Sequence, residues 1–134
     1  MPDPSFVPAA QWTDRRHVRG LRGELMALAY LVSCGWEIEA HRFRFGRHDL
    51  DLVARRGRLI AFVEVKTRKS ARCGAPAEAV SARKRAILAR VAACWQARFG
   101  QPNDGYRFDL VSVWEGPAGA PEVEHLPDAW RAGN

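Results

Sequence analysis

Asp49, Asp51, Glu64 and Lys66 interrupt the most hydrophobic stretch of this sequence, GRHDLDLVARRGRLIAFVEVKTR (residues 46–68). The apolar runs Leu50–Val53 and Leu59–Val63 read as two strands joined at the basic turn RRGR (55–58). Side chains alternate between the two faces of a strand. Ile60, Phe62, Glu64 and Lys66 therefore share one face, while Asp49, Asp51 and Val53 share a face of the preceding strand. A hairpin that pairs Ala54 with Leu59 sets Asp49 opposite Glu64 and Asp51 opposite Phe62. Asp51 and Glu64 then become diagonal neighbours about 7 Å apart. An odd loop or a bulge would flip one strand and part the carboxylates.

Such a cluster is costly unless it has a use. Two carboxylates about 4 Å apart repel by around 4 kcal/mol at an effective dielectric of 20. Protonating one of them relieves the conflict, and so does a divalent cation. Mg²⁺ takes oxygen ligands, commonly one or two carboxylates with water and substrate phosphate. In that position it polarises a phosphoryl oxygen and lowers the pKa of a bound water. Lys66 could orient the attacking water or stabilise charge in the transition state. Two acids, one spacer and a lysine thus make a coherent set for phosphodiester hydrolysis. The plainer alternative is an ion pair on a solvated face, because acid-x-lysine triplets are common. The flanks weigh against it, since LIAFVEVK is apolar on both faces, as in a covered central strand.

The surrounding pattern says what positions these residues. Residues 1–14 carry three prolines and no period, and read as a flexible N-terminal leader. From about Arg16 to Cys34, Leu21, Leu25, Leu28, Ala29 and Val32 form a helical stripe expected to be buried, with Glu24 beside it and Gly35 ending the helix. Arg15, Arg16, Arg19 and Arg22 sit in its first turns, against the helix dipole. WEIEAHRFRF (36–45) alternates as a strand at the sheet edge. The two strands of the acidic stretch follow, then a loop through Gly74 and Pro76. Ser81 caps a second helix, running to about Phe99 with the stripe Ile87, Leu88, Val91, Cys94 and Trp95. YRFDLVSVW (106–114) is a fourth strand, and EVEHLPDAW adds a short fifth. The order α-β-β-β-α-β-(β) predicts an α/β fold, a mixed sheet of four to five strands flanked by helices. Residues 15–130 form one domain and 131–134 a C-terminal tail.

Composition narrows the class. The chain has 134 residues, formal charge +6 and 21 Lys and Arg, of which 18 are Arg. That balance favours a polyanionic partner, nucleic acid ahead of membrane. Cys34, Cys73 and Cys94 form no CxxC pair and read as reduced thiols, which points to a cytoplasmic protein. With His41 or His48 they match no usual zinc spacing. The start MPDPSFVPAAQW has no apolar core, so no signal peptide is expected. No apolar run is long enough to span a membrane. The five tryptophans are scattered, without the aromatic-basic interleaving of an RNA-binding surface.

The arrangement RGLRGELMALAYLVSCGWEI, HDLDLVARRGRLIAFVEVKTR, GAPAEAVSARKRAILARVAACW, YRFDLVSVW and VEHLPDAW resembles the YraN family from about residue 19 to 130. FVEVKTR followed by RFDLV carries most of the likeness. The family resembles archaeal Holliday-junction resolvases of the PD-(D/E)xK nuclease superfamily, which implies a restriction-endonuclease-like fold. The resemblance implies a metal-dependent endonuclease acting on DNA, including branched or damaged DNA, with Mg²⁺ as cofactor and Mn²⁺ as substitute. It assigns Glu24 to the first-helix acid, Asp51 to the metal-binding aspartate, Glu64 to the second acid, Lys66 to the motif lysine and the Val65 carbonyl to a further metal ligand. Asp49 stands where the family has Glu and is given a secondary ligand role, and His48 replaces a glycine. Arg68, Lys69, Lys84, Arg22 and Arg47 are the expected phosphate contacts. Cutting a four-way junction needs two centres, which leaves room for a homodimer. Two other functions fit the residues: a nucleic-acid-binding module with weak or no catalysis, and an interaction protein in DNA repair or uptake.

Overall fold

A computed structural model describes residues 15–68, 80–114 and 121–132, with side chains described from residue 20 onward. Lys69, Cys73, the loop through Gly74 and Pro76, and the leader 1–14 lie outside the described residues. The elements are α1 (Arg15–Ser33), β1 (Glu37–Phe45), β2 (His48–Arg56), β3 (Leu59–Arg68), α2 (Ala82–Phe99), β4 (Gly105–Trp114) and β5 (Glu122–Trp130). This is the expected α-β-β-β-α-β-β order. The strands form one mixed sheet in the order β1-β2-β3-β4-β5. All neighbours are antiparallel except β3 and β4, which are parallel. Parallel neighbours need a crossover, and α2 supplies it. β3, the most apolar strand, takes the centre.

Each face of the sheet carries one helix. Phe43, Leu50, Val53, Ile60, Phe62 and Leu110 pack under Leu88, Val91 and Trp95 of α2. Leu52, Ala54, Ala61, Val63, Val111 and Val113 pack under Ala27 and Leu31 of α1, with Trp36 closing the end. Ser81 caps α2 as expected, its Oγ accepting from the Lys84 N–H at 3.1 Å.

The first helix is rotated from its expected setting. Leu25 is 48% exposed and Val32 51% exposed, Ala29 is exposed, and the buried face is Gly23, Glu24, Ala27 and Leu31. Close approach decides the rotation. A methyl group at Gly23 would overlap Thr67 Oγ1 at the end of β3, so this face of α1 lies against the strand where a leucine could not. Small residues bring the helix in, and Glu24 is carried into the interior with them.

The β2–β3 hairpin is also tighter than the four-residue loop expected. Arg56 pairs with Leu59 and Ala54 with Ala61, so the turn is Gly57–Arg58, with Gly57 at φ +63°. The shift is two residues, which preserves the faces. The ladder ends at Leu52 opposite Val63, just short of Asp51 and Glu64. Arg55 fastens this end of the sheet. Its guanidinium donates to both Asp104 carboxylate oxygens at 2.8 and 2.9 Å, and to Glu39 at 2.6 Å. The bonds from Arg55, with one from the Gln101 N–H, hold the Asp104 carboxyl down to about 2.

Gly23→Ala is expected to cost roughly 1–3 kcal/mol through overpacking. Gly20→Ala, whose added carbon would meet nothing nearer than 3.5 Å, is expected to be neutral or slightly stabilising. Urea unfolding of the two variants measures the contrast.

Candidate functional site

Where β2 and β3 end their pairing, the sheet opens into a cleft of about 350 Å³ between the two helices. Gly20 and Glu24 of α1, Arg42 of β1, Asp51 of β2, Glu64, Val65, Lys66 and Thr67 of β3 and Lys84 of α2 line it. Glu24, Asp51, Glu64 and Lys66, far apart in sequence, are brought to one place.

A break in strand alternation delivers Asp51. Leu50 and Val53 pack on the α2 side, whereas Leu52 and Ala54 pack on the α1 side. Leu50 and Leu52 would share a face in a regular strand, so the alternation skips at Asp51. On the neighbouring strand, Arg42 lies between the paired residues His41 and Phe43 and adopts φ +57°. Asp51 accepts a hydrogen bond from the Val65 N–H at 2.7 Å. In an extended strand the N–H and C=O of one residue emerge on the same edge, so the Val65 carbonyl faces that way as well.

The electrostatics of the pair are strained. Burial pushes the Asp51 carboxyl well above the usual carboxylate range, and the charges of Glu64 and Glu24 push it further; the Val65 N–H pulls partly back. Burial also raises Glu64, with Lys84, a hydrogen bond shared with Asp51, and Lys66 opposing it. Glu64 is 3% exposed, and its Oε1 has no hydrogen-bond partner among the described residues. Its Oε2 stands 4.0 Å from Lys84 Nζ. A buried acceptor without a donor is expensive.

Glu24 is in the opposite condition. Burial alone would raise it, but hydrogen bonds from His41 and Arg42 outweigh that and hold it below the ordinary range. Arg42 grips both oxygens, at 2.8 Å from Nε and 2.6 Å from Nη2, and His41 Nε2 lies 3.2 Å from Oε1. The sequence reading missed both partners. The signal was a pair of glycines, Gly20 and Gly23, inside a helix ahead of the acid.

The remaining candidates fall elsewhere. Asp49 is held by Arg44 at 2.9 Å and does not line the cleft, which corrects the register that set it opposite Glu64. Lys84 lines the cleft and is 40% exposed. Arg68 ends β3 with its guanidinium 5.9 Å from the centre of the Trp114 ring. Arg22 on α1 and Arg47 in the β1–β2 turn are exposed and outside the lining. Lys69 lies outside the described residues. Among the described residues, no three His, Cys, Asp or Glu side chains converge closely enough to hold a metal ion by themselves. The oxygen donors that do converge are the two carboxylates of Asp51 and Glu64 and the β3 backbone beside them. None of the described helices is long and apolar enough to cross a membrane.

A family model described as "Uncharacterised protein family UPF0102" matches residues 23–113. The chain is similar to a UPF0102 protein of Symbiobacterium thermophilum, with 41% identity covering 84% of this chain and 96% of that one. A UPF0102 protein of Geobacter sulfurreducens shares 34% identity over 92% and 97% of the two chains. Another, from Nocardia farcinica, shares 43% over 80% and 84%. The resemblance seen in the sequence motifs is therefore a family relationship over most of the chain.

Raised carboxyl pKa values lower stability as pH rises. Below about pH 4 the unfolded carboxylates are protonated too, and nothing is lost. Above it the unfolded chain gives up protons that folded Asp51 and Glu64 retain, so unfolding gains ground with each unit. In the presence of EDTA, Asp51→Asn should raise the melting temperature near pH 8 by about 3–8 °C, the equivalent of roughly 1–2 kcal/mol. The gain should vanish near pH 4. Calorimetry of both proteins across that range measures it.

Proposed function

The chain belongs to the uncharacterised protein family UPF0102, and from the chemistry of its cleft we propose that it is a divalent-metal-dependent endonuclease that hydrolyses phosphodiester bonds in DNA. One observation carries the reading: Asp51 and Glu64 are buried side by side in an open cleft, and one Glu64 oxygen has no donor. Lys84 approaches Oε2 alone, at 4.0 Å, and leaves Oε1 without a donor. A hard cation fits better, because it satisfies the orphaned oxygen and offsets the repulsion together.

Asp51, Glu64 and the Val65 carbonyl are the ligands expected for Mg²⁺ or Mn²⁺. Once bound, that ion supplies Lewis acidity at the scissile phosphate and a more acidic water. The chain's own groups do the rest. Lys66 follows Glu64 by two residues and lines the same cleft. Its ammonium donates to the attacking water or to a non-bridging phosphate oxygen, where charge accumulates in the transition state. Lys84 sits in the first turn of α2, where a cation and a helix N-terminus both favour a phosphate. Glu24 stays ionised under its two partners and holds Arg42 in the wall of the cleft. Arg68, Arg22 and Arg47 are suited to backbone phosphates further out, which position DNA without reading its sequence.

A second reading has its own support. With Glu24 committed to Arg42 and His41, and Asp49 to Arg44, two acids of the cleft are left for a metal among the described residues. A DNA-binding module with little or no catalysis needs no more.

A panel of labelled linear, flapped, four-way and single-stranded DNA, incubated with Mg²⁺, Mn²⁺ or EDTA, separates the readings. The enzyme reading expects cleavage with metal only. It expects Glu64→Gln to lower cleavage at least about 100-fold, the scale on which such electrostatic contributions act, with DNA affinity within about threefold. Binding without products on every substrate selects the module. Affinity should fall steeply with salt in either case, because the contacts are to phosphates. Mn²⁺ should raise the melting temperature of the parent protein and leave that of Asp51→Asn unchanged.

A further inference from the structure

A groove of about 650 Å³ lies away from the cleft. One wall is the small-residue flank of α2, formed by Ala89, Ala92, Ala93 and Gln96. The other is aromatic, with Tyr106 and Trp130 at its two sides. Tyr106 stacks on Phe62 at 5.7 Å with planes 6° apart, and Trp130 stacks on Phe108 at 5.3 Å with planes 21° apart. Its members come from three strands, so no local pattern of residues announces the gathering.

Two further observations indicate what the groove holds. Trp130 is 6% exposed, yet its indole Nε1–H has no acceptor among the described residues. A buried donor in the wall of a cavity calls for a ligand that carries an acceptor. The mouth is polar, with Asp128 and Arg131 joined at 2.9 Å, and the Arg85 guanidinium lies 5.8 Å from the Trp130 ring centre. Flat walls, a waiting donor and a guanidinium beside the Trp130 ring together suit a heterocycle with in-plane acceptors. Lys84 in the cleft and Ala93 in the groove are both on α2, about 14 Å apart along its axis at 1.5 Å per residue.

We propose that this groove takes a single unstacked nucleobase from a strand that crosses the cleft, with Trp130 Nε1–H as its hydrogen-bond donor. The inference rests on the reading of the chain as a DNA-binding protein and adds to it a preference for DNA with an unpaired base.

The test uses the full chain carrying Glu64→Gln, so that DNA stays intact, and a fluorescein-labelled single strand of roughly 15 nucleotides followed by anisotropy. Ala93→Trp fills the groove from an exposed position, and Trp130→Phe keeps an aromatic, though smaller, ring and removes the donor; melting temperatures check that both fold. Ala93→Trp should weaken binding about tenfold and Trp130→Phe about threefold, within the range for one stacked base. An abasic residue scanned along the strand should weaken the parent at one position and make no difference to Ala93→Trp. Equal affinity of the parent and both variants overturns the proposal. So does dAMP alone binding as tightly as the strand, which would make a free nucleotide the occupant. Cleavage by the protein with Glu64 intact is scored separately. Loss of the groove leaves metal-dependent cutting in place, and absence of cutting leaves the abasic effect in place.

Discussion

Two carboxylates that repel each other, sunk at the open end of two central strands, are the constraint around which this molecule is arranged. Neither Asp51 nor Glu64 can sit there without help. The Val65 N–H, Lys84 and Lys66 each offset part of the repulsion. Glu24 adds to it, but is itself fixed by Arg42 and His41. Together these groups come from α1, β1, β2, β3 and α2. Both helices and the first three strands must therefore be in place before the cleft exists. Such a cluster weakens the fold slightly and is retained where it serves chemistry.

The way the elements reach the cleft follows from local backbone and packing choices. A skipped step in β2, matched by the left-handed Arg42 in β1, frees Asp51 from the pleat. Gly23 lets α1 lie against Thr67, which carries Glu24 to a depth that a longer neighbour would forbid. At the far end of the sheet, Arg55 ties the hairpin to Asp104 and Glu39, away from the cleft. Asp109 has a related task on the other flank. It is fully buried, accepts from His125, Arg107 and the Asp128 N–H, and pins β5 where its register with β4 shifts. Burial would raise this carboxyl, but those donors hold it below its ordinary value.

Element order, the N-cap at Ser81, the central place of LIAFVEVK and the meeting of Asp51 with Glu64 were legible in the sequence. Each follows from periodicity or turn chemistry within a few residues. What could not be read depends on distances between elements. Counting apolar residues on α1 favoured the face of Leu25 and Val32, whereas the sheet selected the face with least bulk. The hairpin length was off by two residues, which left the faces intact because strand parity survives an even shift. Asp49 was expected opposite Glu64 on β3, whereas it lies beyond the end of the β2–β3 ladder and pairs with Arg44 of β1. The role of Arg42 depends on a positive φ, and no pattern of side chains announces one. The aromatic groove brings together Phe62, Tyr106, Phe108 and Trp130, which only the sheet order makes adjacent.

The parallel pairing of β3 with β4 has a consequence for how the chain reaches this state. The other neighbouring strands have no helix between them, and β1 to β3 can close as local hairpins. β4 must wait until residues 69–104 have been made and α2 has swung across, a long loop whose closure is paid for before its contacts form. Lys84 joins Glu64 only through that crossover. On the ribosome, then, the first three strands can zip together early, while the acidic pair gains its nearest cation only when the second half of the polypeptide has emerged.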